Sequence, residues 1–143
     1  MSEQASVMIH AAGHADAEWI NQFLRERWGV TTTVVHNEVI DAATLPALIA
    51  GNRQGLATYR WHQQDAELVT LNAVPAGIGT GSALIATLVA RLRAEGCARL
   101  WVTTTNDNLS ALRFYLRRGF RPGSPATRSL LSPFDHGDLR ILP

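Results

Sequence analysis

Along the chain the apolar positions change period several times, and each change predicts a change of element. Trp19, Ile20, Phe23 and Leu24 fall on one face at helical spacing, with Asp16 placed to cap the start and Gly29 to stop the end. Asp16 and Glu18 in the first turn, and Arg25 and Arg27 in the last, suit the helix dipole. Residues 32–40 are β-branched and read as one strand. Residues 45–50 fit a short helix or a turn. Residues 55–61 and 67–74 read as two strands joined by the polar connection His62-Gln63-Gln64-Asp65. Helical spacing returns over 79–95, where Leu84, Leu88 and Leu92 recur every four residues beside Ile85 and Val89, and Gly96 supplies the stop. A strand is expected over 99–104, then a last helix over 109–118 that carries Leu112, Tyr115 and Leu116 and ends at Gly119. The tail, 120–143, is expected to add one or two edge strands. Strands alternating with helices predict an α/β (α+β) fold in a single domain.

Composition then narrows the function classes. At 143 residues the chain can bury a core without disulfides or metals, and its 46% hydrophobic and 17% charged residues describe a core-rich protein. All 13 basic residues are Arg, they face 12 acidic residues, and the net charge of +1 supplies no field for nucleic acid. The lone Cys97 makes no internal disulfide, and Met1 to Ala15 lack the basic start and long apolar middle of a secretory signal. No apolar run approaches the roughly 18 residues that span a bilayer. A cytoplasmic protein with no nucleic-acid or membrane partner is the expectation. His10 and His14 have helical metal-ligand spacing, but Gly13 lies between them and no third ligand stands out, so no metal is expected.

The chemistry concentrates where the strand over 67–74 meets the helix over 79–95, at Ala76-Gly77-Ile78-Gly79-Thr80-Gly81-Ser82. The first N–H groups of a helix have no partner within it, the dipole places positive charge there, and glycines let a ligand approach the backbone. A phosphate is the expected guest, and a glycine-eased turn without a ligand is the plain alternative. A nucleotide-triphosphate loop needs a Lys after its last glycine, and the chain has none. A dinucleotide fingerprint needs a third glycine three positions on, where Ser82 or Leu84 stands instead.

From Ala66 onward, AELVTLNAVPAGIGTGSALIATLVARLRAEGCARLWVTTTNDNLSALRFYLRRGF resembles the cofactor-binding half of the GNAT superfamily of acyl-CoA-dependent N-acetyltransferases. The glycine loop resembles the family's [QR]-x-x-G-x-[GA], with Ala76 in place of the Arg or Gln. Asn108, Ala111, Tyr115, Gly119 and Phe120 match the later element N-x-x-A-x-x-x-Y-x-x-x-G-F. The resemblance implies a mixed, mostly antiparallel sheet flanked by helices. Within one domain, 1–65 would form the N-terminal helix and strand meander, 66–120 the acetyl-CoA-binding half and 121–143 a short tail. It implies an abbreviated final hairpin, or a strand completed by a second copy of the chain in a homodimer.

The resemblance also implies acetyl-CoA as co-substrate, with backbone groups of Gly77, Ile78, Gly79, Thr80, Gly81 and Ser82 around its pyrophosphate, and Asn108 either contacting it or capping its own helix. Transfer to an amine is helped by a base, because a lysine-like amine has a reference pKa of about 10.4. Glu67 lies where many GNAT enzymes carry a glutamate, against the plainer role of an edge-of-strand carboxylate that faces solvent; as a base, partial burial beside Val69 and Tyr59 is expected to raise its pKa toward neutral. Ala73 and Val74 offer N–H groups to an oxyanion, and Pro75 offers none. Tyr115 matches the family's tyrosine, a hydrogen-bond donor to the departing thiolate, against the plainer role of a core aromatic. Trp19, Phe23 and Trp28 either line an acceptor pocket or pack in the core, and core packing is favoured for the first two. The resemblance thus points to an N-acetyltransferase acting on a primary amine through a ternary complex, with a non-catalytic acyl-CoA sensor as the alternative.

Overall fold

A computed structural model describes residues 8–35, 38–73, 79–103, 109–117, 120–122 and 129–131. Seven strands lie in one sheet: β1 (Ile9–Ala11), β4 (Ala47–Ala50), β5 (Gly55–His62), β6 (Asp65–Ala73), β7 (Arg99–Thr103), β9 (Ser129–Leu131) and β8 (Arg121–Pro122), in that order. β2 (Thr32–Val35) and β3 (Glu38–Asp41) form a separate antiparallel pair. Among the described residues the α-helices are α1 (Ala17–Trp28), α2 (Thr80–Ala94) and α3 (Leu109–Arg117). β1–β4, β4–β5, β7–β9 and β8–β9 run antiparallel, while β6–β7 is parallel, as a helical crossover through α2 requires. The sheet is mixed and mostly antiparallel, as expected, and the chain supplies its own short final hairpin, β8–β9.

By its internal contacts the chain divides into two compact units, Met1–Tyr59 with Thr70–Leu88, and Arg60–Val69 with Val89–Pro143. In the first, Ile20, Phe23 and Leu24 bury one face of α1, as their spacing predicts, and Leu48, Ile49, Leu56, Leu84 and Leu88 are almost wholly removed from water. Each such side chain contributes about 1.5–3 kcal/mol of burial free energy. In the second, Leu68, Leu92, Leu100, Trp101, Tyr115 and Phe120 form the core.

Three local expectations are corrected. The run 32–40 is two strands, with residues 36 and 37 outside those described. The ambiguous run 45–50 is strand β4 from Ala47 to Ala50, with all four residues buried. Asp16 stands at the start of α1 but makes no side-chain bond into that helix. Its Oδ2 accepts from the Gly13 N–H at 2.9 Å and its Oδ1 from Arg53 at 3.3 Å, so it closes the short 3-10 turn ahead of α1.

The β5–β6 hairpin is joined by Gln63-Gln64 and contains an irregularity that matters for chemistry. Arg60 faces Glu67 through a 2.9 Å bond, and Thr58 faces Thr70 with their hydroxyls 2.7 Å apart. Two steps back along β5 therefore correspond to three steps forward along β6. A regular antiparallel ladder advances in equal steps, so β6 holds one extra residue between the two pairs, a β-bulge. The bulge places Glu67 and Thr70 on one face, which strict alternation would separate.

Candidate active site

The start of α2 is built for close approach. Gly79 has φ +88°, a left-handed conformation that favours glycine, and its carbonyl accepts the N–H of Ala83 at 3.0 Å to open the helix. Among the described residues, a Cβ built on Gly79 meets nothing within 4 Å. The first turn of α2 carries no acidic side chain, and Arg91 and Arg93 lie in its last turn. The dipole's positive end is therefore not neutralised from within the helix. Thr80 is 1% exposed, and its Oγ1 has no hydrogen-bond partner among the described residues.

Gly55 lets this helix start sit close against β5. A Cβ on Gly55 would lie 2.8 Å from Thr80 Cγ2, 3.1 Å from the Asn72 carbonyl oxygen and 3.1 Å from Leu84 Cδ1. Sequence reading did not single out Gly55, because a glycine at the start of a strand carries no signal of what approaches it. Gly55→Ala is expected to cost about 1–3 kcal/mol by overpacking, read as a fall in Tm. Thr80→Ser, which deletes Cγ2, is expected to recover part of that loss. Equal Tm values for the parent and Gly55→Ala would contradict this contact.

Glu67 is more deeply placed than expected. It is 1% exposed instead of partly buried, and the Arg60 Nε donates to its Oε1 at 2.9 Å, with the Arg60 side chain 15% exposed. Burial disfavours the carboxylate and the guanidinium favours it, so the expected rise from burial alone is opposed by a bonded cation. The registers Asp65↔Arg99 and Glu67↔Trp101 put these four residues on one face, where Asp65 and Arg99 pair at 3.6 Å.

Tyr115, on α3, is 8% exposed. Its ring meets Phe114 and Phe120 edge-on, with centroids 5.4 and 5.3 Å away, and the Phe120 N–H donates to the Tyr115 carbonyl at 3.1 Å. Burial pushes the Tyr115 hydroxyl up to about 12. The same cause pushes the Cys97 thiol up, and its Sγ donates to the Arg99 carbonyl at 3.1 Å, an environment unlike that of a nucleophile.

Ala73, at the end of β6, is half-buried, and Gly81 and Ser82 lie half-buried in the first turn of α2. Val74, Gly77, Ile78 and Asn108 lie outside the described residues. Phe23 is core, and the Trp19 ring packs against it at a tilt of 37°, with centroids 4.9 Å apart. Among the described residues, no three metal-ligating side chains cluster and no helix is long and apolar enough to cross a membrane.

With this geometry in place, the chain can be set beside known proteins. Residues 55–120 match the model of the acetyltransferase (GNAT) family. Over that stretch the chain is similar to GNAT acetyltransferases. The GNAT match takes in β5, β6, α2, β7 and α3, the elements that carry Glu67, the glycine-flanked helix start and Tyr115. The uncharacterized protein YdhI of Bacillus subtilis (strain 168) is 26% identical over 106 residues, covering 71% of this chain and 66% of its own length. The chain thus spans about two thirds of that relative. A GNAT-family acetyltransferase of Staphylococcus aureus Mu50 superposes with TM-score 0.67 at 12% identity, over 91% of this chain and all (100%) of that one. The PaiA N-acetyltransferase of Thermoplasma acidophilum, in complex with coenzyme A, gives 0.62 at 14% identity over 89% of this chain and 97% of its own. At such identities the two structures show the fold, which is the GNAT fold.

Proposed function

We propose that this protein is an N-acetyltransferase that moves an acetyl group from acetyl-CoA to a primary amine by direct attack within a ternary complex. The observation that carries the reading is the open, left-handed Gly79 at the start of a 15-residue helix with no acidic side chain in its first turn. Such a terminus accommodates a pyrophosphate through the N–H groups of Gly79, Thr80, Gly81 and Ser82 and the helix dipole. The coenzyme A bound by the Thermoplasma acidophilum relative supports the same assignment. Acetyl-CoA supplies an activated acyl carbon, and the chain supplies positioning and proton handling.

Glu67 is the base in this reading. It accepts a proton, directly or through water, as the amine nitrogen bonds to the thioester carbonyl carbon. The Ala73 N–H, with that of Val74, steadies the oxyanion that forms. The C–S bond then breaks, the electron pair leaves on sulfur, and the Tyr115 hydroxyl donates a hydrogen bond to it. With the phenol near 12 and a thiol near 8.5, full proton transfer is uphill by on the order of 5 kcal/mol, so Tyr115 stabilises the thiolate without surrendering its proton. The thiolate takes its proton from solvent or from the acid formed at Glu67.

A second reading, an acyl-CoA sensor without turnover, draws support from the Arg60 bond to Glu67, which suits a purely structural carboxylate as well as a base. Thermal melting tests the binding common to both. Acetyl-CoA at a hundred times its Kd is expected to stabilise the fold by about 2.7 kcal/mol, whereas NAD and ATP give no shift. Equal stabilisation by NAD would overturn the assignment of the helix start. Thiol release separates enzyme from sensor.

A further inference from the structure

We propose that Arg60 is a positioning residue for catalysis, holding the Glu67 carboxylate ionised and aimed from within the sheet; the inference rests on the reading of Glu67 as the base. A carboxylate 1% exposed pays a large desolvation penalty, and it stays charged at neutral pH only where a partner offsets that penalty. The partner here is bonded and close, with Arg60 Nε 2.9 Å from Glu67 Oε1. A guanidinium suits the position because it stays protonated throughout the working pH range and is itself only 15% exposed.

Neither Asp65 nor Trp101, its neighbours on this face, supplies that charge. On β6, Asp65 lies two residues from Glu67 on the same side and would oppose its charge, but it is paired with Arg99 of β7 at 3.6 Å. Trp101, the β7 residue in register with Glu67, carries no charge. From β5 the group presented to Glu67 is Arg60.

A base of this kind works only while ionised, so activity falls as pH drops through its titration. Removing the cation takes away its opposition to desolvation and moves that fall to higher pH. The test measures kcat/KM for acetyl-CoA between pH 5 and 9 at saturating amine, for the parent, Arg60→Gln, Arg60→Lys, Glu67→Gln and Arg60→Gln/Glu67→Gln. The acid limb of Arg60→Gln is expected to move up by about one to three pH units. Arg60→Lys, which restores the charge, is expected to bring it back toward the parent. In the Glu67→Gln background, Arg60→Gln is expected to leave the profile unchanged, since Arg60 acts through Glu67.

An active parent whose acid limb is unmoved in Arg60→Gln overturns this inference alone. A parent inactive with every amine overturns the enzyme reading and this inference with it. Should Arg60→Gln fail to fold, the ¹³C carboxyl signal of Glu67 in the parent decides. A carboxylate ionised throughout pH 5–8 supports the role of Arg60, and titration near neutrality overturns it.

Discussion

Tyr115→Phe is expected to lower kcat by about 10²- to 10⁴-fold while leaving acetyl-CoA affinity nearly unchanged. The substitution deletes one hydroxyl and keeps the ring, so the edge contacts with Phe114 and Phe120 survive and α3 still packs. The loss falls on the step in which sulfur gains charge, and it therefore appears in kcat. The hydroxyl titrates near 12 because it is buried, well above the ordinary tyrosine value. It stays protonated, and able to donate, as pH rises through 10, so no alkaline fall in the parent's kcat near pH 10 should disappear in Tyr115→Phe. Steady-state rates with both substrates varied check this; parental turnover in Tyr115→Phe would remove Tyr115 from the mechanism.

Gly79→Val is expected to weaken acetyl-CoA binding by about a hundredfold or more. The φ of +88° is costly for any residue with a Cβ and most costly for a β-branched one. A valine relieves that strain by turning the backbone, which re-aims the helix start. Two charge-assisted N–H bonds to a pyrophosphate, at roughly 1.5–3 kcal/mol each, account for the loss. Among the described residues a Cβ on Gly79 meets nothing within 4 Å, so no clash there adds to the backbone cost. A modest change in Tm with no ligand-induced shift is therefore the expected signature. Titration calorimetry that finds parental affinity in Gly79→Val would place the pyrophosphate elsewhere.

How far the fold was legible depends on how cleanly each segment expressed one period. α1 and α2 were readable because their apolar residues sit on one face, and Gly29 and Gly96 both take the left-handed conformation expected of helix stops. β4 was not, because its four residues are all buried and the run Ala47-Leu48-Ile49-Ala50 shows no alternation to separate strand from helix. The β2–β3 pair was hidden by β-branched residues on both sides of His36-Asn37, although an Asn within such a run is itself a turn signal.

The site was legible as residue types and less so as environments. Glu67 and Tyr115 were both picked out, and both are buried. What was missed is the partner of Glu67. A charge facing another across a two-residue hairpin could have been paired from sequence, since Arg60 and Glu67 are equally distant from the Gln63-Gln64 turn. The bulge beyond them could not, because it is a change of register that the strand composition does not mark.

The claim that matters most is direct transfer from acetyl-CoA to an amine, and initial rates of free-thiol release across a panel of primary amines test it most directly. Turnover with at least one amine, giving intersecting double-reciprocal lines when both substrates are varied, is the predicted result. Release with none of the amines, or parallel lines that report a covalent acetyl-enzyme, would contradict it.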